Sequence, residues 1–253
     1  MESLQNVRKF NPNFQIEDWC YENLKRVEEV ENYKFYNSEK EIKDFLVPVK
    51  KIVGTTHAAY IGRKWIDLLY NMKRFSDYYN VNNFLSFTET ENFTRSGIYY
   101  IKYGDLYFTG GGNHRTCQAK FSNLTYIKTD LIEYIFDVKM FDVFNFLINE
   151  NLMPIIKEGG RGRYYRFNSW KIYINSREYY FQSFEAIEEF VKYYKDYSPS
   201  FLNNIVAKLS KQEILFSYNE QKDYTHLKNA IILHKLNNKK TATLLTTLKI
   251  KSL

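Results

Sequence analysis

The feature that most constrains this chain is a strand-like run that leads through three glycines into a helix-like run. Residues 107–116 read YFTGGGNHRT, in which an apolar start is typical of a strand and Asn113–Thr116 opens a segment with helical spacing. Glycine lets the backbone approach another group closely, and the first N–H groups of a helix carry a partial positive charge. The junction therefore predicts a binding site for an anion, and above all for a phosphate group.

Two side chains that can carry positive charge stand at the start of the same predicted helix. His114 supplies a titratable donor and Arg115 a permanently charged one, so both are candidate catalytic residues. A tight turn whose charged residues lie in solvent is the alternative, and the Asn-His-Arg sequence favours the site. The candidate phosphate-binding residues at this junction are Gly110, Gly111, Gly112, Asn113 and Thr116.

A second turn rich in glycine and threonine occurs earlier in the chain. Gly54, Thr55 and Thr56 follow a predicted strand, and Arg63 and Lys64 come one or two helical turns later. Backbone N–H groups and hydroxyls from two such turns can bind one polyphosphate together. A simple connection between a strand and a helix is the alternative, because spacing alone does not bring the two turns together.

The hydrophobic pattern predicts a mixture of helices and strands. Besides the helix that begins at 113, it predicts helices at 15–31, 38–45, 62–76, 138–151, 183–197 and 198–218. The helix at 38–45 is predicted from residues 38–41, SEKE, which have the pattern of a capping box. It predicts strands at 46–53, 84–87, 98–103, 106–109, 126–136, 164–167, 170–175 and 179–181. Gly104 and Asp105 predict a hairpin between two of these strands, and Pro48 predicts a strand start or an edge strand.

Composition limits the class of protein. With 253 residues, of which 18% are aromatic, the chain can bury a core. The net charge of +7 is compatible with nucleotides or nucleic acid as partners. Cys20 and Cys117 supply neither a disulfide framework nor a zinc site, and no metal ligands are assigned. Because the chain has neither a signal-peptide pattern nor a long apolar run, we expect a cytoplasmic protein without a membrane span.

A second group of basic residues follows a change in composition near residue 158. Arg161, Arg163 and Arg166 alternate with glycine and tyrosine, a pattern that suits backbone contacts and base stacking on a nucleic acid. The favoured alternative is a hairpin entry with solvated arginines, because three arginines make a small binding footprint.

Two segments together resemble a known superfamily. Residues 47–55 read VPVKKIVGT and residues 107–115 read YFTGGGNHR, a combination similar to the ParB/sulfiredoxin superfamily over roughly residues 44–125. The resemblance implies a small α/β domain that binds nucleotide or nucleic-acid phosphate. Superfamily members include chromosome-partition proteins that bind and hydrolyse CTP, ADP-dependent serine kinases, sulfiredoxins and proteins described as nucleases. The resemblance implies that Gly111, Gly112, His114 and Arg115 form the motif that contacts phosphate. It also implies that Gly54 and Thr55 form the first of the two turns.

One position departs from the superfamily pattern. Asn113 stands where sulfiredoxins have a cysteine and where partition proteins have an acidic residue. This position therefore supports neither sulfinic-acid reduction nor metal-dependent CTP hydrolysis. Phosphate binding is what the resemblance implies most directly, with His114 available as an acid, a base or a hydrogen-bond donor.

Together these observations predict an α/β (α+β) protein. The expected domains are a helical N-terminal segment at 1–43, a ParB/sulfiredoxin-like mixed sheet with flanking helices at 44–135, and an α+β region with a basic helical end at 136–253. The expected function is phosphate binding to a nucleotide or nucleic acid, with phosphoryl transfer or hydrolysis as the reaction class of an enzyme. A nucleotide and a divalent metal are the candidate cofactors. The alternative is a non-catalytic DNA-binding or protein-interaction regulator, such as one from a phage or another mobile element.

Overall fold

The chain divides into two compact units, Met1–Phe136 and Asp137–Leu253. The computed structural model describes residues 2–69, 80–90, 92–93, 97–157, 169–174 and 177–196, together with positions 231, 234, 235 and 238. Both units contain helices and strands, so the protein belongs to the mixed α+β class. Among the described residues, no helix has the length and apolar character that crossing a bilayer requires.

The described part of the first unit contains five strands, three α-helices and several short 3-10 helices. Its α-helices are α1 (Glu2–Phe10), α2 (Val81–Thr88) and α3 (Asn113–Phe121). Its strands are β1 (Tyr36–Pro48), β2 (Ile52–Thr55), β3 (Tyr99–Tyr103), β4 (Leu106–Gly111) and β5 (Tyr126–Phe136). Its 3-10 helices are Asp18–Tyr21, Val27–Glu29, Tyr33–Phe35, Val49–Lys51 and Trp65–Leu69.

The five strands form one mixed sheet in the order β1-β5-β3-β4-β2. The pairs β1–β5 and β3–β4 are antiparallel, whereas β3–β5 and β2–β4 are parallel. The predicted hairpin is confirmed, with Gly104 at a φ of +55° in its turn. The prediction for Pro48 is also confirmed, because this proline ends β1 at an edge of the sheet, where its missing N–H is tolerated.

Aromatic side chains dominate the core of the first unit. Phe10 of α1 meets Phe84 of α2 edge to face, with ring centroids 6.1 Å apart, and both are fully buried. At the end of α3, Phe121 packs against Phe14 with centroids 5.1 Å apart. Cys117 lies on the same helix and is buried as well, so α3 is anchored to the core along its length.

The second unit has its own three-stranded antiparallel sheet. Its strands β6 (Ile155–Lys157), β7 (Ser169–Ile174) and β8 (Arg177–Phe181) pair in that order. Its helices are α4 (Val138–Asn149) and α5 (Phe184–Asp196). The side chains of Asp137 and Ser183 cap these helices by accepting N–H bonds from Met140 and Ala186. The helices predicted at 138–151 and 183–197, and the strands at 170–175 and 179–181, are confirmed.

Three predicted elements are wrong. Residues 15–31 contain two short 3-10 helices instead of one amphipathic helix, because Leu24 and Lys25 donate their backbone N–H groups to Arg63 and Val53. Residues 38–45 lie inside β1, so the N-terminal segment at 1–43 is not wholly helical. Residues 84–87 lie inside α2 rather than in a strand.

The physical reasons for the last two errors are a long-range pairing and a local cap. Residues 38–45 pair with β5 across most of its length, and this ladder outweighs the local capping signature at 38–41. The side chain of Asn80 accepts the N–H of Asn83, which begins α2 three residues before Phe84.

Two further predicted elements are only partly described. The strand predicted at 46–53 is divided between β1 and β2 by the 3-10 helix Val49–Lys51. The helix predicted at 62–76 contains the 3-10 helix Trp65–Leu69, and positions 70–76 lie outside the described residues. The strand predicted at 164–167 and the helix at 198–218 also lie outside them.

Candidate functional site

The two turns predicted from the sequence lie side by side. In the parallel pair β2–β4, Gly54 is opposite Phe108 and Thr55 is opposite Thr109. The backbone N–H of Thr56 donates to the carbonyl oxygen of Thr109 at 3.0 Å. Because both strands run in the same direction, their carboxyl ends meet at one edge of the sheet. The turn after β2 therefore lies next to the glycine junction after β4.

The hydroxyl of Thr55 connects the first turn to α3. It donates to Oδ1 of Asn113 at 2.6 Å and accepts the backbone N–H of His57 at 3.0 Å. Thr55 is fully buried. Its hydroxyl therefore holds the turn against the start of the helix.

His114 belongs to a group of aromatic and basic side chains, which we call the imidazole cluster: His57, Tyr60, Arg63 and His114. The Tyr60 hydroxyl and Nε2 of His114 form a hydrogen bond of 2.9 Å. The His57 ring lies 4.8 Å from the Tyr60 ring between centroids, and the Arg63 guanidinium carbon lies 5.9 Å from the same ring centre. His57 and Arg63 are exposed and His114 is half-buried, so the cluster faces solvent in part.

Arg115 makes its described contact with a different segment. Its Nη1 donates to the backbone carbonyl of Phe93 at 3.2 Å. Neighbouring residues of an α-helix project about 100° apart, since a turn contains 3.6 residues. The structure therefore directs His114 towards the turn after β2 and Arg115 towards residue 93.

The glycines at the junction accommodate the protein's own side chains. A Cβ atom on Gly110 would lie 2.1 Å from the Tyr99 ring, and one on Gly111 would lie 2.4 Å from the carbonyl oxygen of Gly97. Gly112 begins α3 with a φ of +82°, which glycine adopts without the steric cost that other residues incur. The protein itself therefore fills the space in which a side chain at these glycines would stand, and phosphate binding by their backbone N–H groups stays a prediction.

Two other predicted phosphate-binding residues are enclosed by the protein. A Cβ atom on Gly54 would lie 2.2 Å from the carbonyl oxygen of Lys25, so the backbone itself fills that space. Thr116 is fully buried, and its hydroxyl donates to the carbonyl oxygen of Gly112 at 3.1 Å. The Cβ side of Gly54 and the hydroxyl of Thr116 are therefore engaged within the protein, and phosphate binding at these two residues stays a prediction.

The predicted site residues fall into three groups. In the first group, Thr56 is exposed and the residues of the glycine junction are partly buried, namely Gly110, Gly111, Gly112, Asn113, His114 and Arg115. The second group is buried and consists of Gly54, Thr55 and Thr116. The third group lies outside the described residues and consists of Arg161, Arg163 and Arg166. The described residues contain no group of three His, Cys, Asp or Glu side chains that could hold a metal ion.

Tyr60 was missed by the sequence analysis. It is separated from His114 by 54 residues, and no local motif connects the two. The only signal in the sequence was that Tyr60 follows the Gly-Thr-Thr-His turn within one helical turn's length.

Comparisons with protein-family models, curated proteins and solved structures found no match for this chain.

The buried hydroxyl of Thr55 leads to a first prediction. We expect Thr55→Val to lower the free energy of unfolding by about 1–2 kcal/mol, because valine keeps the shape but leaves the partners of the hydroxyl unpaired. Chemical denaturation would measure the loss. Thr56→Val is the matched control: Thr56 is exposed and its hydroxyl donates to the carbonyl oxygen of Thr109 at 3.4 Å, a long bond whose loss should cost less than about 0.5 kcal/mol. Equal losses for the two variants would contradict the role of the Thr55 hydroxyl.

Proposed function

We propose that the first unit binds a phosphate group beside the imidazole cluster, at the first turn of α3. The first N–H groups of a helix have no partner within the helix and lie at the positive end of its dipole. Thr56 adds an exposed hydroxyl, and the imidazole cluster adds groups that carry or can acquire positive charge. The observation that carries the proposal is the hydrogen bond between Tyr60 and His114, because it turns the imidazole at the start of this helix towards the segment after β2.

The proposed ligand is a nucleotide or the backbone of a nucleic acid, which share the phosphate chemistry. The resemblance of residues 47–55 and 107–115 to the ParB/sulfiredoxin superfamily supports the same chemistry. In this proposal Thr56, Asn113 and His114 face the phosphate. Thr55, Thr116 and the junction glycines position these groups instead of contacting the ligand.

The same geometry suggests how a reaction would proceed. If a bound phosphate ester is cleaved or transferred, His114 is the group that would move the proton, because the hydrogen bond from Nε2 to the Tyr60 hydroxyl fixes the orientation of its ring. Arg115 then stabilises the fold of the site through the carbonyl of Phe93. Loss of turnover in His114→Ala, with nucleotide still bound, would identify an enzyme.

Nucleotide binding can be tested by thermal denaturation. We expect at least one of ATP, ADP, CTP, GTP and NAD, tested with and without Mg²⁺, to raise the melting temperature. A ligand at 100 times its dissociation constant stabilises the bound state by about 2.7 kcal/mol, which corresponds to several degrees. His114→Ala should weaken binding about tenfold or more, since a hydrogen bond to a charged group contributes about 1.5–3 kcal/mol.

A neighbouring pair of cations provides the control. Arg63 contacts the Tyr60 ring, whereas Lys64, the next residue, is an exposed lysine outside the cluster. Arg63→Ala should weaken binding and Lys64→Ala should not.

Binding of duplex or single-stranded DNA that falls steeply with salt, without a response to nucleotides, would identify a nucleic acid as the ligand. No response to either ligand would contradict it and favour a protein-interaction regulator.

A further inference from the structure

The opposite end of α3 holds a buried lysine between two tryptophans. Lys120 is 7% exposed, and its Nζ lies 4.7 Å from the ring centres of both Trp19 and Trp65. An ammonium group over an indole face is stabilised by the electrons of the ring, and here two indoles share one cation. The position near the C-terminal end of the helix is also favourable for a positive charge.

The Lys120 ammonium has no anionic partner in the described part of the chain. No carboxylate of these residues lies within the 4.0 Å that defines an ion pair with its Nζ. A buried charge is costly unless an opposite charge or hydrogen bonds compensate it. Consistent with this, burial lowers the pKa of Lys120 to about 8. The carboxylates of Glu17 and Glu22 act on Lys120 from beyond ion-pair distance, so no described carboxylate contacts its ammonium group directly.

A cavity of about 620 Å³ lies against this lysine within the first unit. Lys120, Trp19 and Trp65 form part of its wall, and the apolar side chains of Val49, Ile52 and Leu124 form another part. Pockets of about 300–1,000 Å³ with apolar walls and a few polar groups are typical of small-molecule sites. The exposed carboxylates of Glu17 and Glu22 also line this cavity.

We propose that this cavity is a second binding site, which takes a small organic carboxylate. The carboxylate forms the ion pair that Lys120 lacks, and the apolar body of the ligand packs on Val49, Ile52 and Leu124. The nearby Glu17 and Glu22 disfavour a ligand with several negative charges, so a monoanion fits better than a phosphate ester. The inference does not rest on the phosphate site, because six residues of α3, or about 9 Å along its axis, separate Lys120 from His114.

The test uses phenylacetate and its neutral analogue phenylacetamide on the full chain. Trp19 and Trp65 are two of the three tryptophans, so occupancy should change the tryptophan emission in a saturable way. We expect phenylacetate to bind about tenfold or more tightly than phenylacetamide, which is the effect of about 1.4 kcal/mol from a charged hydrogen bond. Lys120→Met should remove this preference. The matched control is Lys50→Met, because Lys50 lines the same cavity but is exposed, and it should retain the preference.

A second measurement keeps the test independent of the folding of the variant. In the unmodified chain, reductive methylation of Lys120, followed by peptide mass spectrometry, should slow several-fold when phenylacetate is present, whereas methylation of Lys50 should not. An equal response to acid and amide would overturn the proposal. Unchanged emission together with unchanged methylation of Lys120 would overturn it as well.

Discussion

Replacing Gly54 by alanine is expected to destabilise the first unit by about 3 kcal/mol or more, in the upper range for overpacking of a core. The added Cβ would lie 2.2 Å from the carbonyl oxygen of Lys25 and 2.8 Å from its carbonyl carbon. Lys25 cannot move away easily, because its N–H donates to Val53 and its carbonyl accepts the N–H of Thr55. Relief of the contact would therefore break backbone hydrogen bonds on both sides of Gly54.

Chemical denaturation followed by tryptophan emission would measure this loss. Gly110→Ala is the control, since its Cβ would meet the outer end of the Tyr99 ring at 2.1 Å. Tyr99 is 37% exposed, so its ring can rotate towards solvent and reduce the cost to about 1 kcal/mol. Equal losses of stability in the two variants would contradict the argument that the backbone of Lys25 blocks a side chain at Gly54. A Gly54→Ala variant that unfolds at the wild-type midpoint would contradict it as well.

The elements that could be predicted from the sequence are those fixed by local chemistry. The hairpin at Gly104 and Asp105 needs only two residues with turn propensity between two β-rich runs. The strand–glycine–helix junction is similarly local, because Gly112 supplies the positive φ at which α3 begins. Cys117, in the helix that follows, is buried with its Sγ 3.6 Å from the carbonyl oxygen of Trp65.

The elements that could not be predicted depend on contacts with distant segments. The capping signature at 38–41 is a valid helix signal in isolation, but residues 38–45 pair with residues 129–135 of β5, far away in the sequence. The periodicity at 15–31 was likewise genuine, yet Leu24 and Lys25 bond to residues 63 and 53. Local propensity is a weak prior when such a ladder is available.

The candidate site divides in the same way. The juxtaposition of the turns at 54–56 and 110–113 follows from the parallel register of β2 and β4, which the sequence could suggest but not establish. The direction of Arg115 and the contact between Tyr60 and His114 depend on side-chain packing across the fold. Lys120 gave no signal, because a lysine in the last turn of a helix is ordinarily solvated.

The buried Lys120 leads to the second large prediction, which concerns pH. Its pKa of about 8 in the folded protein lies below its ordinary value of 10.5, chiefly because of burial. Between these values the unfolded chain binds more protons than the folded one, so the contribution of Lys120 to the free energy of unfolding rises with pH. At about 1.4 kcal/mol per pKa unit, the rise amounts to about 3 kcal/mol between pH 8 and 10.5.

The neighbouring thiols and a buried phenol act in the opposite direction. Burial raises the pKa of Cys20, Cys117 and Tyr100, so the unfolded chain loses these protons at lower pH and the free energy of unfolding falls as the solution becomes alkaline. The carboxylates of Glu17 and Glu22 stabilise the charged form of Lys120 but do not offset its burial. The free energy of unfolding of the wild type, measured against pH, therefore does not by itself show the contribution of Lys120.

A comparison with Lys120→Met isolates the contribution of the lysine together with its coupling to the two thiols, whose pKa values the Lys120 charge lowers. The thiols and the phenol are otherwise present in both proteins. We expect the free energy of unfolding of the wild type minus that of the variant to be constant below pH 7 and to rise by about 3 kcal/mol up to pH 10.5. Near pH 7 the variant should be at least as stable as the wild type, since the desolvation of the Lys120 charge outweighs the groups that stabilise it and an apolar side chain avoids that cost. A difference that does not change with pH would mean that Lys120 stays charged and solvated, and the carboxylate site would then lose its physical basis. A lysine that lowers stability in the empty protein, and whose cost an anion removes, is what a binding site for that anion requires.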